Sequence, residues 1–236
     1  MNFSDTLAFR RWFAASKVVD DQRRPLVVYH GTQCDFTFFD RTEDIGFHFG
    51  TAETANQRLR HLRRGYSPRA EGDCILPVFL RIENPLRLPD LFTWEPDDVA
   101  NKLADQGIIT PEEAKRTQIV DRRQVCDWLA AKGYDGIVYQ NMGEGLRRLN
   151  RDEEPPVEVL RKHDRDDESD TFRAVLCGRT MGTGPDSAAA LADARKKMRR
   201  AKLLPTDSYI AFRPEQIKSA TGNRGTFSPR SASLVA

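Results

Sequence analysis

No apolar run in this 236-residue sequence approaches the roughly 18 residues of a membrane-spanning helix, so a helical membrane protein is excluded. The opening MNFSDTLAFRRWF lacks the basic start and apolar core of a secretory signal, and a soluble, cytoplasmic protein is expected. Cysteine is scarce and dispersed: Cys34, Cys74, Cys126 and Cys177 stand at least 40 residues apart. That spacing excludes zinc knuckles and CxxC redox pairs, and four free thiols in a reducing compartment are expected. An excess of either charge is lacking too. With 37 Lys and Arg against 35 Asp and Glu, the net charge of +2 gives no global pull toward nucleic acid or acidic membrane. No segment repeats at intervals of about 20 to 50 residues, which excludes solenoids and propellers. What is present is 39% hydrophobic residues, enough for a core, and one domain carrying an insertion is expected.

Local patterns give the elements. Ser4 is placed to cap a helix through Ala15 with Leu7, Ala8 and Trp12 and the neighbouring Phe9 and Phe13 on its apolar face. A short strand is expected at Val18 and Val19, and a stronger one over Leu26 to Tyr29, running into His30, Gly31 and Thr32. Phe47-His48-Phe49 alternates on a second strand, and Thr51 is a plausible N-cap for a helix over Glu53 to Arg63. Cys74 to Ile82 reads as a half-buried strand ended by Glu83-Asn84-Pro85. Helices are expected from Pro96, from Thr110-Pro111 and over Val125 to Ala131, with Gly133 as the stop and Gly136 to Tyr139 as a buried strand.

From 146 to 206 the composition shifts. Asp152 to Asp170 holds nine acidic residues against three basic ones and reads as a solvated surface segment. Phe172 to Cys177 is a possible strand and Gly178 to Gly184 a Gly-rich turn. Ser187 to Leu204 is a helix with a stripe of Leu191, Ala194, Met198 and Ala201, around which Arg195 to Lys202 supply basic side chains. That face is either ordinary solvated surface or a patch for nucleic acid. Tyr209 to Phe212 is the last clear strand, and the tail from Ser228 is expected to fray.

His30 ends an apolar strand beside a glycine, where backbone approaches a ligand closely, but HGT alone is weak evidence and by itself favours a structural or loop role. His48 points opposite to Phe47 and Phe49; if both Phe enter the core, His48 faces a cleft, where a flat ring suits a planar heterocycle. Two His with Asp40, Glu43 or Asp44 are a possible zinc set, although no fixed ligand spacing such as HExxH supports it.

LVVYHGT, GFHFGT with a helix after it, GYDGIVYQN and DSYIAFRPEQIKSATGNRGTF, together with the entry segment FRRWFAASKVVDDQRRPLVVYHGT, occur in this order. They resemble the successive motifs of the ADP-ribosyltransferase superfamily, in particular the phage and mobile-element branch found in polyvalent proteins, over about residues 9–60, 75–90, 122–145 and 207–229. The resemblance implies an α+β fold of split antiparallel sheets that pinch NAD, with flanking helices and the charged insertion 146–206 before the last motif strand. It implies that His30 binds the ribose next to nicotinamide, that the Gly31 backbone holds the carboxamide, and that Thr32 binds the adenosine-side ribose. His48 stands where relatives stack a Tyr, and Phe47, Thr51 and Tyr209 complete the NAD-binding set. Where many relatives carry a Glu on the last strand, this chain has Ser208, preceded by Asp207. A carboxylate stabilises the cation that forms as nicotinamide leaves, and Ser cannot. Asp207, Glu144 and Glu215 are the candidates; Asp207 should point to the other face, Glu215 after Pro214 to solvent, and Glu144 is favoured because the resemblance places a Glu after YQN shortly before the DSY strand, although here roughly 60 residues intervene. Gln216, Lys218 and Asn223 are expected in structural or cleft-edge roles. The implied activity is NAD-dependent transfer of ADP-ribose to a macromolecule, protein favoured over nucleic acid, in a phage or bacterial effector or toxin. A catalytically inactive NAD-binding module and an NAD glycohydrolase are the alternatives.

Overall fold

The computed structural model describes residues 3–40, 44–65, 72–116, 121–163 and 170–236. They divide into two compact units, Met1–Gly145 with Asp207–Ala236, and Leu146–Thr206. Glu43 of the candidate zinc set lies outside the described residues.

The first unit opens with α1 (Leu7–Phe13), capped by Thr6 and not by Ser4: the Thr6 hydroxyl accepts the Phe9 N–H at 3.2 Å, while Ser4 sits in a short 3-10 turn. Val18 and Val19 form no strand of their own, since Val19 makes only an isolated bridge to Pro25. Strand β1 (Val28–Thr32) starts two residues later than expected and takes His30, Gly31 and Thr32 into the ladder. The Leu26 N–H is already donated back to Val18, so the chain joins the sheet only after that hairpin closes. Next come β2 (Phe47–Phe49), α2 (Ala52–Gly65) and β3 (Cys74–Leu80). Pro85 does not only end β3 but also begins β4 (Pro85–Pro89), an edge strand in which Leu86 and Leu88 point inward and Arg87 outward.

Three helices come next, α3 (Pro96–Asp105), α4 (Pro111–Arg116) and α5 (Arg122–Ala131). Thr110 and Glu113 exchange side-chain bonds to each other's backbone at 3.0 and 2.8 Å, a capping box, and Asp121 caps α5 through the Gln124 N–H at 2.9 Å. Strand β5 (Gly136–Asn141) extends two residues past the expected GIVY.

The second unit is a three-stranded antiparallel sheet, β6 (Glu158–His163), β7 (Asp170–Leu176) and β8 (Arg179–Gly184), with α6 (Ser187–Arg200) on one face. The acidic segment and the Gly-rich turn are therefore partly strand. Val157 and Val159, on either side of Glu158, pack against a core of Ala174, Leu176, Met181, Ala190, Ala194 and Met198. Gly182 lets the sheet and helix touch, because a Cβ there would lie 2.3 Å from the Ala194 nitrogen.

The chain returns to the first unit with β9 (Thr206–Ala211) and β10 (Ile217–Ser219). One sheet runs β1-β3-β10, all antiparallel; the other runs β2-β9-β5-β4. β2 and β9 are antiparallel, but β4 and β5 are parallel, which three intervening helices make possible and the purely antiparallel expectation missed. Val28, Val78 and Leu80 of one sheet meet Phe47, Phe49, Tyr209 and Ala211 of the other in a shared core. The opposite face of the second sheet packs Leu86, Ile137 and Ile210 against Val99, Leu103 and Leu129 of the helices. The tail is not frayed. Leu234 is buried, its N–H donates to Thr37, and the buried Lys218 ammonium donates to the Ser231 and Ser233 carbonyls at 2.6 and 2.8 Å. Gln216 and Asn223 tie loops to backbone and have structural roles of the same kind.

Candidate active site

Each sheet delivers one histidine to the same place. His30 Nδ1 lies 2.8 Å from the His48 carbonyl oxygen, and a backbone bridge between Tyr29 and Gly50 ties β1 to the end of β2. A carbonyl only accepts, so His30 carries its proton on Nδ1, which leaves Nε2 as an acceptor. Burial lowers the His30 pKa, and the nearby Arg58 charge adds to this. The ring is fixed edge-on by Phe39 and tilted against Phe49, with centroids 5.0 and 5.5 Å away.

In β2 both Phe side chains enter the inter-sheet core and His48 faces a cavity of about 930 Å³. Burial pushes the His48 pKa down to about 4, against the opposing charge of Asp44, whose carboxylate stands 3.6 Å from Nε2. That nitrogen has no hydrogen-bond partner among the described residues. Both imidazoles are therefore neutral at pH 7. Trp94, edge-on to His48 at 6.4 Å, and Tyr139 close the same wall. Among the described residues no group of three or more His, Cys, Asp or Glu is arranged to hold a metal.

Alternation along β9 sorts the last motif. Ser208 is buried on the cavity face, where its hydroxyl accepts a hydrogen bond from Asn141 Nδ2 at 3.3 Å. Asp207 and Tyr209 point the other way: Asp207 makes a two-pronged contact with Arg87 at 2.8 and 3.2 Å, and Tyr209 fills the core between the sheets. Neither lines the cavity, and neither does Glu215.

Glu144 does line it. The buried Asn141 accepts the N–H groups of Gly143 and Glu144 at 3.0 and 2.7 Å, which curls the chain end of β5 and turns Glu144 toward α2. One of its carboxylate oxygens lies 3.1 Å from His61 Nδ1. Thus Glu144 and Ser208 share one cavity although the whole Leu146–Thr206 unit separates them in the chain.

Other predicted positions are more mixed. Gly31 lines the cavity, but its lack of a side chain is also demanded from behind, since a Cβ would lie 2.5 Å from the Ala55 carbonyl oxygen of α2. Phe47 contributes both to the core and to the cavity wall. Thr32 lines the cavity with its hydroxyl engaged by Cys34 backbone, whereas Thr51 caps α2 through the Thr54 N–H at 3.1 Å and does not line it.

Sequence reasoning passed over Arg58, His61, Asp90, Trp94, Tyr139 and Asn141, all on the cavity wall. Asp90 holds two loops together by accepting the Phe92 and Met142 N–H groups at 2.9 and 2.8 Å. Phe92 and Trp94 both adopt left-handed backbone angles, φ 58° and 55°, a strained state for aromatic residues, and at Phe92 the Asp90 contact holds the backbone N–H. A polar residue at the end of a buried strand, as in YQN, was the available signal for Asn141.

Two face-to-face sheets, each giving a histidine to one cavity, with helices covering the outer faces, define an α+β fold of the ADP-ribosyltransferase type. The chain belongs to the family described as ADP-Ribosyltransferase in polyvalent proteins, whose model matches residues 20–227. No curated protein and no solved structure matches it. Among the described residues no helix is long and apolar enough to cross a membrane.

Proposed function

We propose that this cavity binds NAD, breaks the bond between nicotinamide and ribose, and transfers ADP-ribose to a macromolecule, with Glu144 as the catalytic carboxylate. The observation that carries the reading is that Glu144 and Ser208 line one cavity that also holds both neutral histidines. As nicotinamide departs, positive charge grows on the ribose, and an ionised carboxylate at its hydroxyl edge stabilises that charge. His30, with Nε2 able to accept, suits a ribose hydroxyl; the flat His48 ring suits nicotinamide; Arg58 supplies a cation for the diphosphate.

Protein remains the favoured acceptor over nucleic acid. Two of the basic side chains on α6 are ion-paired, Arg195 with Glu154 and Lys197 with Asp193 at 2.7 Å, and Arg199 donates to the Arg151 carbonyl. The test is nicotinamide release from NAD, with mass spectrometry of acceptors labelled in a lysate. Wild-type turnover that falls at least about 100-fold in Glu144→Gln supports the reading; full activity in that variant overturns the assignment of Glu144. Nicotinamide release without any labelled acceptor indicates an NAD glycohydrolase. Ser208, in place of the last-strand Glu of many relatives, favours a second reading, a module that binds NAD without cleaving it. NAD binding in calorimetry with no nicotinamide released decides for that reading.

A further inference from the structure

Helix α2 presents a row of polar side chains, Thr54, Gln57 and His61, at spacings of three and four, which places them on one face. All three touch the short loop after β5. Gly145 sits so tightly on Thr54 that a Cβ there would lie 1.9 Å from its hydroxyl, and its φ of +67° is itself a glycine conformation. Gln57 Oε1 accepts the Gly145 N–H at 2.9 Å. His61 Nδ1 reaches Glu144 Oε1 at 3.1 Å, with the Glu144 side chain only 20% exposed. From the other side, Asn141 holds the Glu144 N–H. The backbone of the loop is thus pinned at both ends, but a glutamate retains three side-chain torsions, and it is the His61 contact that restrains its carboxylate.

We propose that His61 is the positioning residue of this site: its Nδ1–H holds Oε1 of Glu144 so that the second oxygen faces the ribose of the bound dinucleotide. The inference rests on Glu144 being the catalytic carboxylate. An ionised carboxylate accepts only, so His61 must present a proton on Nδ1, and either the neutral tautomer or the imidazolium does so. Fixing one oxygen removes the rotamers in which the carboxylate swings out to solvent, and that gain is realised at the chemical step, not in ground-state binding.

The experiment compares steady-state nicotinamide release from NAD by the full chain and by His61→Ala, His61→Asn, Glu144→Gln and the double variant. His61→Ala is expected to lower kcat about 10- to 100-fold with KM within about twofold. His61→Asn, whose amide N–H overlays Nδ1–H, is expected to restore most of the rate. In the Glu144→Gln background His61→Ala is expected to add nothing further, because the two act as one unit. Full activity of His61→Ala beside an inactive Glu144→Gln overturns this inference alone, as does an additive loss in the double variant or a failure of Asn to rescue. Full activity of Glu144→Gln overturns both readings together. If His61→Ala does not fold, the His61→Asn and His61→Gln pair decides: both carry an amide, but only Asn places it at the Nδ1 position, and equal rates in the two count against the proposal.

Discussion

Asn141 donates from Nδ2 to the Ser208 hydroxyl across 67 residues of sequence, while its Oδ1 accepts the Gly143 and Glu144 N–H groups. One buried amide therefore links the last strand to the loop that bears the candidate carboxylate. Replacing Asn141 by Ala leaves two backbone N–H groups and a buried hydroxyl without these partners, and is expected to cost about 1–3 kcal/mol in denaturant unfolding. Nicotinamide release is expected to fall further than NAD affinity does. Ser208→Ala removes one partner only and is expected to be milder on both measurements.

Asp207 provides the internal control. It lies beside Ser208 in sequence but pairs with Arg87 on the face away from the cavity. Asp207→Asn is expected to leave the rate of nicotinamide release within about twofold, with a stability change below about 1 kcal/mol, as for other half-exposed ion pairs. A loss of activity on the scale of Glu144→Gln would refute the sorting of β9 faces.

His48 gives the fold a pH signature. Its folded pKa, pushed by burial to about 4 from an ordinary 6.5, means the unfolded chain takes up a proton more readily. Its stabilising contribution is complete above pH 6.5 and is lost as pH falls through the window down to about 4. The loss is on the order of 2 kcal/mol once solvent screening at the exposed ring edge is allowed for. Urea unfolding free energies of the wild type and of His48→Phe, measured from about pH 7 to about pH 4, should show the wild type losing about this amount relative to the variant as pH falls; parallel curves would disprove the shift.

Arg58 lines the cavity, and its charge reaches His30, His48 and Tyr139. Arg58→Gln is expected to weaken NAD binding about tenfold in calorimetry, with little change for nicotinamide alone, because the lost contact is with the diphosphate.

Gly31→Ala places a methyl group 2.5 Å from the Ala55 carbonyl oxygen, where backbone cannot yield cheaply. Destabilisation of about 1–3 kcal/mol is expected from thermal or urea unfolding. A neutral result would show that α2 can move away from β1.

The features legible in the sequence are those that depend on short-range pattern. The alternation of Phe47, His48 and Phe49 put His48 on the cavity, and the period-two rule sent Asp207 away from it. Glycine and proline placed α3, α4 and α5 to within a few residues. What stayed hidden depends on contacts distant in sequence. Thr54, Gln57 and His61 carried no signal in the sequence because their partner, the 143–145 loop, lies more than 80 residues on. Glu83-Asn84-Pro85 read as a terminator, and Pro85 thereby masked a two-leucine strand whose hydrogen bonds run to a strand about 50 residues later. In the 146–206 stretch a tally of charge concealed alternation, and Val157 and Val159 were lost among the acids.

Glu144 reaches the cavity from the end of β5, while Ser208 stands on β9 at the position where many relatives carry their acid. A comparison made column by column would score the last strand as a lost active site and file this chain among degenerate homologues. In space, however, Glu144 and Ser208 line one cavity and are linked through Asn141, so the residue at one strand position does not decide whether a carboxylate faces that cavity.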